Sequence, residues 1–247
     1  MGRRLAHEAA MTSIGILGAR GRMGRAIAEA AAEAGATVAA DALASASDVL
    51  VDFTAPGALT SHLDAAVAAG TPLVIGTTGL TADHHAAIDA AAASIAIVQT
   101  ANTSLGVNLL RILVEEAARR LGPEWDIEIL DTHHRHKLDS PSGTALLLGA
   151  SANEGRGAAD SIEKNRFDRM QEGPHQREEG GIYYASLRGG SAAGDHLVVF
   201  AGEGERIELG HRAESRAIFA KGAVRAALWL AGKPAGRYTM ADVLGTG

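Results

Sequence analysis

The sequence contains no cysteine among its 247 residues. Disulfide bridges, thiol nucleophiles and cysteine-ligated zinc are therefore excluded, and any chemistry must come from histidine, lysine, carboxylates or a cofactor. Aromatic residues make up only 4% of the chain, whereas glycine occurs 30 times. This balance predicts cores of alanine, valine, leucine and isoleucine, connected by many tight turns.

Long apolar segments and an excess of basic residues are also missing. No apolar run approaches the roughly 20 residues that a bilayer-spanning helix needs, and the first residues lack the apolar centre of a secretory signal. The formal net charge of -6 argues against nucleic acid as the main partner. We therefore expect a cytoplasmic protein without a membrane or nucleic-acid partner. Its length allows one large or two modest domains.

Short apolar stretches alternate with alanine-rich helical stretches from Ser13 onward. Five of them are continuous enough to be strands buried on both faces, at 13–17, 37–40, 49–51, 73–75 and 95–98. The predicted helices at 23–34 and 59–69 are each followed by glycine, where a left-handed cap belongs. The alternation predicts an α/β fold with a doubly wound parallel sheet.

The pattern changes after Asn102. Further elements are predicted as helices at 105–121, 144–152 and 215–230, and as strands at 127–130, 183–187, 196–201 and 206–209. The last three strands alternate in the manner of antiparallel strands. The polar stretch at 153–179 has little periodicity, which predicts a mobile surface loop.

Gly18, Gly21 and Gly24 follow the first predicted strand and open the first predicted helix. Small residues at this spacing let the backbone turn sharply and approach a pyrophosphate, whose charge then rests on the amides of the helix N-terminus. Asp41 follows the second strand, at about the distance expected of a carboxylate that binds a ribose. The context favours a Rossmann-like dinucleotide site over a turn without a ligand.

Three arginines accompany this turn. Arg20 and Arg22 lie within it and favour ligand contact, since a well-placed charge-assisted hydrogen bond contributes about 1.5–3 kcal/mol. Arg25 fits a solvent-exposed helix face. Asp41 would accept a hydrogen bond from the 2′-hydroxyl of NADH, but it would repel the 2′-phosphate of NADPH unless an arginine offsets it. The choice between the two cofactors stays open.

Two further loops follow strands of the same predicted sheet, at the carboxyl ends where such sheets bind ligands. The first loop carries Asp52, Phe53 and Thr54, and the second carries Gly76, Thr77, Thr78 and Gly79. A Gly-Thr-Thr-Gly turn offers amides and hydroxyls that suit a carboxamide or a ribose. Turns of this composition also occur without a ligand.

The stretch His133-His134-Arg135-His136-Lys137 concentrates positive charge in an acidic chain. One interpretation is a metal site, because His134 and His136 share a face if the chain is extended there. The helical His-x-x-x-His pattern with a paired glutamate is missing, however.

The alternative interpretation is a site for an anion. Pro141 forces the preceding residue into an extended conformation, and Ser142, Gly143 and Thr144 then open a helix. Amides at a helix N-terminus attract anions, and Lys137 and the imidazoles add positive charge. This combination suits a small dicarboxylate.

Six motifs carry a family resemblance. They are GARGRMG, VDFT, IGTTG, NTSLGVN, HHRHKLDSPSGTA and FAKGAVRAALWLAG, in this order. The sequence thereby resembles the bacterial 4-hydroxy-tetrahydrodipicolinate reductases of lysine and diaminopimelate biosynthesis. The resemblance implies a dinucleotide-binding domain at 11–104 and 215–247, with an inserted α+β domain at 105–214 that binds substrate, forms a homotetramer and contains a mixed or antiparallel sheet. Residues 1–10 remain a leader of unknown role.

The resemblance also implies the reaction and the residues that perform it. NADH or NADPH would reduce 4-hydroxy-tetrahydrodipicolinate, a small cyclic imine dicarboxylate, to tetrahydrodipicolinate with loss of water. Hydride reaches C4, and C3 then needs a proton. The catalytic residues would be His133 and Lys137, and which of them delivers the proton stays open. The substrate would be bound by His134, Lys137, Ser142, Gly143 and Thr144. The cofactor would be bound by Gly18, Arg20, Gly21, Arg22, Met23, Gly24, Asp41, Phe53, Gly76, Thr77, Thr78, Ala101 and Asn102.

Two other functions compete with the reductase. A metal-dependent hydrolase or lyase using His133, His134 and His136 predicts activity that chelators abolish. A dinucleotide-sensing regulator predicts a DNA-binding segment, and no basic helix-turn-helix is evident. Each explains one of the two main motifs, whereas the reductase explains both. Two departures from the family pattern are the short connection at 42–48 and Thr103, where a bulky residue is common.

Overall fold

The computed structural model describes residues 11–39, 47–157, 165–166, 173–174 and 176–246. Asp41, the leader 1–10 and most of the predicted loop at 153–179 lie outside these ranges, as does the greater part of the short connection at 42–48. The chain divides into two compact units, Met1–Ser104 with Phe219–Gly247 and Leu105–Ile218.

The described residues form the following elements. The strands are β1 (Ser13–Leu17), β2 (Thr37–Val38), β3 (Val49–Asp52), β4 (Leu73–Ile75), β5 (Ala96–Gln99), β6 (Asp126–His133), β7 (Asn165–Arg166), β8 (Ile182–Arg188), β9 (Asp195–Ala201), β10 (Arg206–Arg212) and β11 (Gly236–Tyr238). The helices are α1 (Arg22–Glu33), α2 (Leu59–Ala69), α3 (Ala82–Ala92), α4 (Leu105–Leu121), α5 (Gly143–Gly155), α6 (Ala217–Leu230) and α7 (Met240–Leu244). None of these helices is both long enough and apolar enough to cross a bilayer.

The first unit contains a parallel sheet in the strand order β2-β1-β3-β4-β5-β11. Every residue of β3 and β4 is buried, as expected of strands covered on both faces. The predicted doubly wound sheet is therefore confirmed. Strand β11 and helix α7 were not predicted, because β11 is three residues long and carries no buried apolar side chain.

The second unit contains a mixed sheet in the order β10-β9-β6-β8-β7. Strands β10, β9 and β6 are antiparallel neighbours, whereas β8 runs parallel to β6. The predicted mixed or antiparallel sheet is therefore confirmed as a mixed sheet. The antiparallel alternation of the later strands holds for β9 and β10, whereas β8 pairs in parallel with β6. The reason is the connection between β6 and β8, which contains α5 and so provides the long crossover that parallel neighbours need.

Several elements of this unit are longer than predicted, among them β6 and α5. Strand β6 was predicted to end at Leu130 but continues to His133, because every second side chain stays buried through the polar end of the strand. Helix α5 runs to Gly155, so that residues 153–155 are helical rather than part of a loop. Helix α5 packs on α4, and a Cβ on Gly155 would lie 2.1 Å from the carbonyl oxygen of Glu115. The apolar core between these helices and the sheet includes Val114, Ile129 and Phe200.

Candidate active site

The glycine turn after β1 has the close backbone approach that its sequence predicts. Gly18 adopts a φ of 79°, a conformation that favours glycine, and its carbonyl accepts a hydrogen bond of 2.9 Å from the Gly21 amide. A Cβ on Gly24 would lie 2.4 Å from the Gly18 oxygen and 2.6 Å from the Ala19 Cα. A side chain at position 24 would therefore displace the turn.

The N-terminus of α1 is open to an anion. Gly21 precedes the helix without any side-chain cap, and the first turn has no acidic residue. Arg20 and Arg22 are exposed and take part in none of the salt bridges among the described residues, while Met23 is half-buried. A turn without side chains, open amides and two adjacent guanidinium groups together fit a dinucleotide pyrophosphate.

A buried carboxylate connects the loops that follow β3 and β4. Asp52 is fully buried and accepts hydrogen bonds from the amide and hydroxyl of Thr54, at 2.9 and 2.6 Å. His62 Nδ1 of helix α2 lies 2.8 Å from the other carboxylate oxygen, while the Thr77 hydroxyl donates at 3.4 Å to the same oxygen as Thr54. The predicted cofactor residue Thr77 thus belongs to this network, which the sequence analysis did not predict.

Phe53 and Gly76 are in direct contact between the same two loops. A Cβ on Gly76 would lie 2.2 Å from the Phe53 ring, so only glycine lets the ring pack there. Thr78 is exposed beside them. These positions surround one edge of the sheet, at the carboxyl ends of β3 and β4, where a nicotinamide-bearing ligand is expected.

We expect Asp52→Ala to loosen both loops. Removing the carboxylate leaves the Thr54 and His62 donors without their acceptor, which should lower the free energy of unfolding by about 3 kcal/mol. NADH affinity should fall at the same time, because Phe53 and Thr77 lose their common support. Urea unfolding and fluorescence titration with NADH measure the two effects. Asp64→Ala, at an exposed position on α2, is the matched control, and an equal effect there would contradict the role of the network.

The loop after β5 uses its polar side chains to hold its own backbone. The Asn102 side-chain oxygen accepts a hydrogen bond from the Ser104 amide at 2.9 Å. Thr103 is buried, and its hydroxyl donates to the Phe219 carbonyl of α6 at 2.7 Å. A Cβ on Gly222 of the same helix would lie 1.7 Å from the Thr103 carbonyl oxygen. Thr103, which departs from the family pattern, therefore anchors α6. The predicted cofactor residue Ala101 is exposed beside it.

In the second unit, the predicted catalytic residue His133 is the last residue of β6. Its Nδ1 lies 3.0 Å from the carboxylate of Asp131, which is 1% exposed. Ser186 donates a hydrogen bond to the same carboxylate, and Arg188 Nη1 lies 3.0 Å from it. Sequence reasoning missed Asp131 and Arg188. Asp131 could have been found, because it is two residues before His133 and a longer strand would place both side chains on one face.

The residues after His133 form a turn rather than an extended chain. The expectation that His134 and His136 share a strand face is therefore wrong. His134 Nε2 lies 3.1 Å from the Arg216 guanidinium, a residue that sequence reasoning also missed. Within the part of the chain that the structure describes, no three His, Asp or Glu side chains are grouped to hold a metal ion.

Lys137 and the start of α5 lie close to one carboxylate of the chain itself. Lys137 Nζ is 2.8 Å from Asp139. The hydrogen bond from this ammonium, together with those from the Asp139 and Gly143 amides, lowers the pKa of Asp139 despite the opposing effect of burial. Lys137 and the Gly143 amide thus act together on the carboxylate of Asp139.

Ser142 caps α5, because its hydroxyl oxygen accepts a hydrogen bond from the Ala145 amide at 3.2 Å. The same oxygen lies 3.2 Å from Nε2 of His196, a buried residue of β9 that was not predicted as a site residue. Gly143 is exposed and Thr144 half-buried at the first turn. The rings of His196 and His133 meet edge to face, with centroids 5.2 Å apart.

We expect His196 to make stability depend on pH. Burial, aided by the positive charges of His133, His211 and Lys137 and opposed by Asp131, lowers the pKa of His196 to about 4. In the unfolded chain His196 takes up a proton near pH 6.5, whereas in the folded chain it does so only near pH 4. The stability that neutral His196 allows is therefore fully present above about pH 6.5. As the pH falls toward 4, the free energy of unfolding decreases by roughly 3 kcal/mol at most. His196→Asn should flatten the unfolding free energy over this range. The exposed His136→Asn should leave the slope unchanged, and a wild-type slope in His196→Asn would contradict the assignment.

Comparisons with known proteins identify the family of the chain. Residues 106–244 match the family model described as "Dihydrodipicolinate reductase, C-terminus", and residues 35–103 match the one described as "Dihydrodipicolinate reductase, N-terminus". The chain belongs to the dihydrodipicolinate reductase family. This membership confirms the resemblance seen in the six motifs. The glycine turn lies before the matched N-terminal segment, so its assignment rests on the geometry described above.

Relatives of this family are similar over most of their length. The 4-hydroxy-tetrahydrodipicolinate reductase of Zymomonas mobilis is 55% identical, with 94% of this chain and 96% of that protein covered. The enzyme of the same name from Methylocella silvestris is 51% identical, with 87% and 79% covered. The dipicolinate-bound dihydrodipicolinate reductase from Paenisporosarcina sp. TG-14 superposes with a TM-score of 0.74 at 22% identity, covering 94% of this chain and 98% of that one. That structure supports the fold of the family.

Proposed function

We propose that the protein catalyses the NAD(P)H-dependent reduction of 4-hydroxy-tetrahydrodipicolinate to tetrahydrodipicolinate with loss of water, a step of lysine and diaminopimelate biosynthesis. The observation that carries the proposal is the grouping of His133, Lys137 and the N-terminus of α5 in a chain 55% identical to a reductase of this name. Neither a metal-dependent hydrolase nor a dinucleotide sensor accounts for both this grouping and the glycine turn.

The first unit binds the nicotinamide cofactor. When bound, the reduced nicotinamide supplies a hydride. The backbone between Gly18 and Gly24 receives the pyrophosphate at the start of α1, and Arg20 and Arg22 add charge-assisted hydrogen bonds. Phe53, Gly76, Thr77, Thr78, Ala101 and Asn102 line the loops at the carboxyl ends of β3 to β5. Arg20 and Arg22 suit either NADH or NADPH. The rates of turnover with the two cofactors show which one is preferred.

The second unit binds the dicarboxylate and supplies the proton. Ser142, Gly143 and Thr144 form the N-terminus of α5, whose amides favour an anion, and the Arg216 guanidinium beside His134 Nε2 adds a further donor. Lys137 brings an ammonium beside the same amides, which suits it to give a proton to the carbon next to the one reduced. His133 is the second group able to exchange a proton there. Asp139 shows how a carboxylate is held by Lys137 and the Gly143 amide.

We further propose that the enzyme is a homotetramer assembled through the second unit. Support comes from the sheet face opposite α4 and α5, where Leu130, Leu197 and Val199 are half-buried and Leu187 is 59% exposed. An apolar sheet face of this kind favours contact with another subunit. The cytoplasmic location expected from the sequence stays a prediction.

A coupled assay tests the proposed reaction. Pyruvate and aspartate semialdehyde are combined with a synthase to generate the unstable substrate, and oxidation of NADH or NADPH is followed by its absorbance. Oxidation that requires the synthase is the expected result, and the two rates rank the cofactors. Binding of both cofactors without oxidation would overturn the reductase and favour a dinucleotide sensor. Activity without nicotinamide that chelators abolish would favour the metal-dependent hydrolase.

A further inference from the structure

Asp131 and His133 point to the same face of β6, because side chains two apart on a strand share a face. Asp131 is 1% exposed, and one of its carboxylate oxygens lies 3.0 Å from His133 Nδ1. On the neighbouring strand β8, Ser186 is paired in register with Asp131, and Arg188 with His133. The Ser186 hydroxyl and the Arg188 guanidinium both reach the Asp131 carboxylate.

These contacts determine which nitrogen of the His133 imidazole carries the proton. Burial acts to raise the pKa of Asp131, but the hydrogen bonds from Ser186 and Arg188 outweigh it, and the pKa lies below its ordinary value. Burial lowers the pKa of His133 against the opposing attraction of Asp131. An ionised carboxylate can only accept, so the neutral ring donates its Nδ1 proton to Asp131. Nε2 is then the nitrogen that exchanges a proton.

Arg188 also reaches the segment that carries Lys137. While one of its nitrogens contacts Asp131, the other donates a hydrogen bond of 2.7 Å to the backbone carbonyl of Asp139. Asp139 in turn contacts the Lys137 ammonium at 2.8 Å. A single guanidinium therefore connects the end of β6, where His133 lies, to the turn that holds Lys137.

We propose that Asp131 and Arg188 are positioning residues for the reduction. Asp131 keeps His133 in the tautomer that presents an unprotonated Nε2, which takes up a proton and returns it to Lys137 after the ammonium has protonated C3. Arg188 holds both Asp131 and the Lys137 turn in place. The proposal rests on the proposed function for the roles of His133 and Lys137. The arrangement of Asp131 itself is independent of that function.

The decisive variant is Asp131→Asn, which keeps the shape but turns an amide toward the ring and so favours the other tautomer. We expect kcat to fall roughly 30-fold, less than the 10²–10⁴-fold that a complete general acid–base group contributes. KM and the NADH dissociation constant should change less than threefold. Asp131→Glu restores a carboxylate and should recover part of kcat. Asp126→Asn, on the same strand but the opposite face, is the matched control and should keep the wild-type kcat.

A second measurement reads the tautomer without turnover. In ¹⁵N-histidine-labelled protein, the signals missing from His133→Asn identify this ring, and their shifts show which nitrogen carries the proton. We expect Nδ1–H in the wild type and a loss of this form in Asp131→Asn. The same test on Ser186→Ala, which removes a single donor to Asp131, covers the case in which Asp131→Asn does not fold.

The outcomes separate this proposal from the proposed function. A wild type that is inactive in the coupled assay counts against the reductase, while the ¹⁵N spectra still decide the arrangement of His133. An active wild type and an equally active Asp131→Asn with an unchanged tautomer overturn the positioning role alone. A purely structural role would lower the thermal stability of Asp131→Asn without changing kcat, and it would also overturn the proposal.

Discussion

Lys137→Ala should lower kcat by roughly 10³-fold, within the range of about 10²–10⁴ that a general acid contributes. The proposed role of the ammonium is to give the proton, and its position near the start of α5 is shown by the carboxylate of Asp139, which both contact. Cofactor binding should be nearly unchanged, since the glycine turn belongs to the other compact unit. Steady-state rates in the coupled assay and NADH titration by fluorescence measure the two quantities separately.

Two companion variants sharpen the result. Lys137→Arg keeps the positive charge, but the pKa of a guanidinium is far above that of an ammonium and its proton is not given up. Substrate binding should therefore recover while kcat stays low. Lys233→Ala removes a lysine whose ammonium lies over the Trp229 ring, 4.3 Å from its centroid, and should leave kcat unchanged. Loss of NADH binding together with turnover in Lys137→Ala would contradict the division of roles between the two units.

Gly24→Ala should weaken NADH binding by roughly 100-fold, equivalent to about 2.8 kcal/mol. The added Cβ would lie 2.4 Å from the Gly18 carbonyl oxygen and 2.6 Å from the Ala19 Cα. Both contacts are with backbone, so the side chain cannot move aside and the turn itself must shift. A shifted turn no longer presents its amides to the pyrophosphate. Fluorescence titration with NADH measures the loss directly.

Gly57→Ala is the matched control for this variant. Gly57 is in the same unit, and a Cβ there would meet no atom within 4 Å. Its NADH affinity should equal that of the wild type. If Gly24→Ala also bound NADH as tightly as the wild type, the glycine turn would not be the pyrophosphate site, and the assignment of Gly18, Gly21 and Gly24 would be wrong.

Much of the first unit was predictable from local patterns. The buried strands β3 and β4 are continuous apolar runs, and the helix that ends before Gly70 has the left-handed cap expected there, with a φ of 66°. Strand β11 was missed because it is an edge strand of three residues, and its pairing with β5 spans 140 positions at Gly236 and Ala96. Nothing within a short window of sequence indicates such a partner.

The second unit was less predictable for the same reason. Strand β6 was expected to end at Leu130, since Asp131 and His133 are polar, and polar residues rarely indicate a buried strand. They lie on the buried face because β8 and β9 pair alongside and supply Ser186, Arg188 and His196 as partners. The antiparallel expectation failed at β8 because strand direction depends on the crossover through α5 rather than on residue alternation.

The sequence by itself determined the α/β class, the glycine turn and the residues from His133 to Thr144 that mark the family. These features depend on spacing within a few residues, which backbone geometry converts directly into turns, helices and strands. Only the tertiary structure placed Asp131 against Arg188 and Ser186, and Asp52 against His62 and Thr77. These contacts depend on the register of strands and the packing of helices that are far apart in sequence, because a buried carboxylate is stable only where such partners meet it.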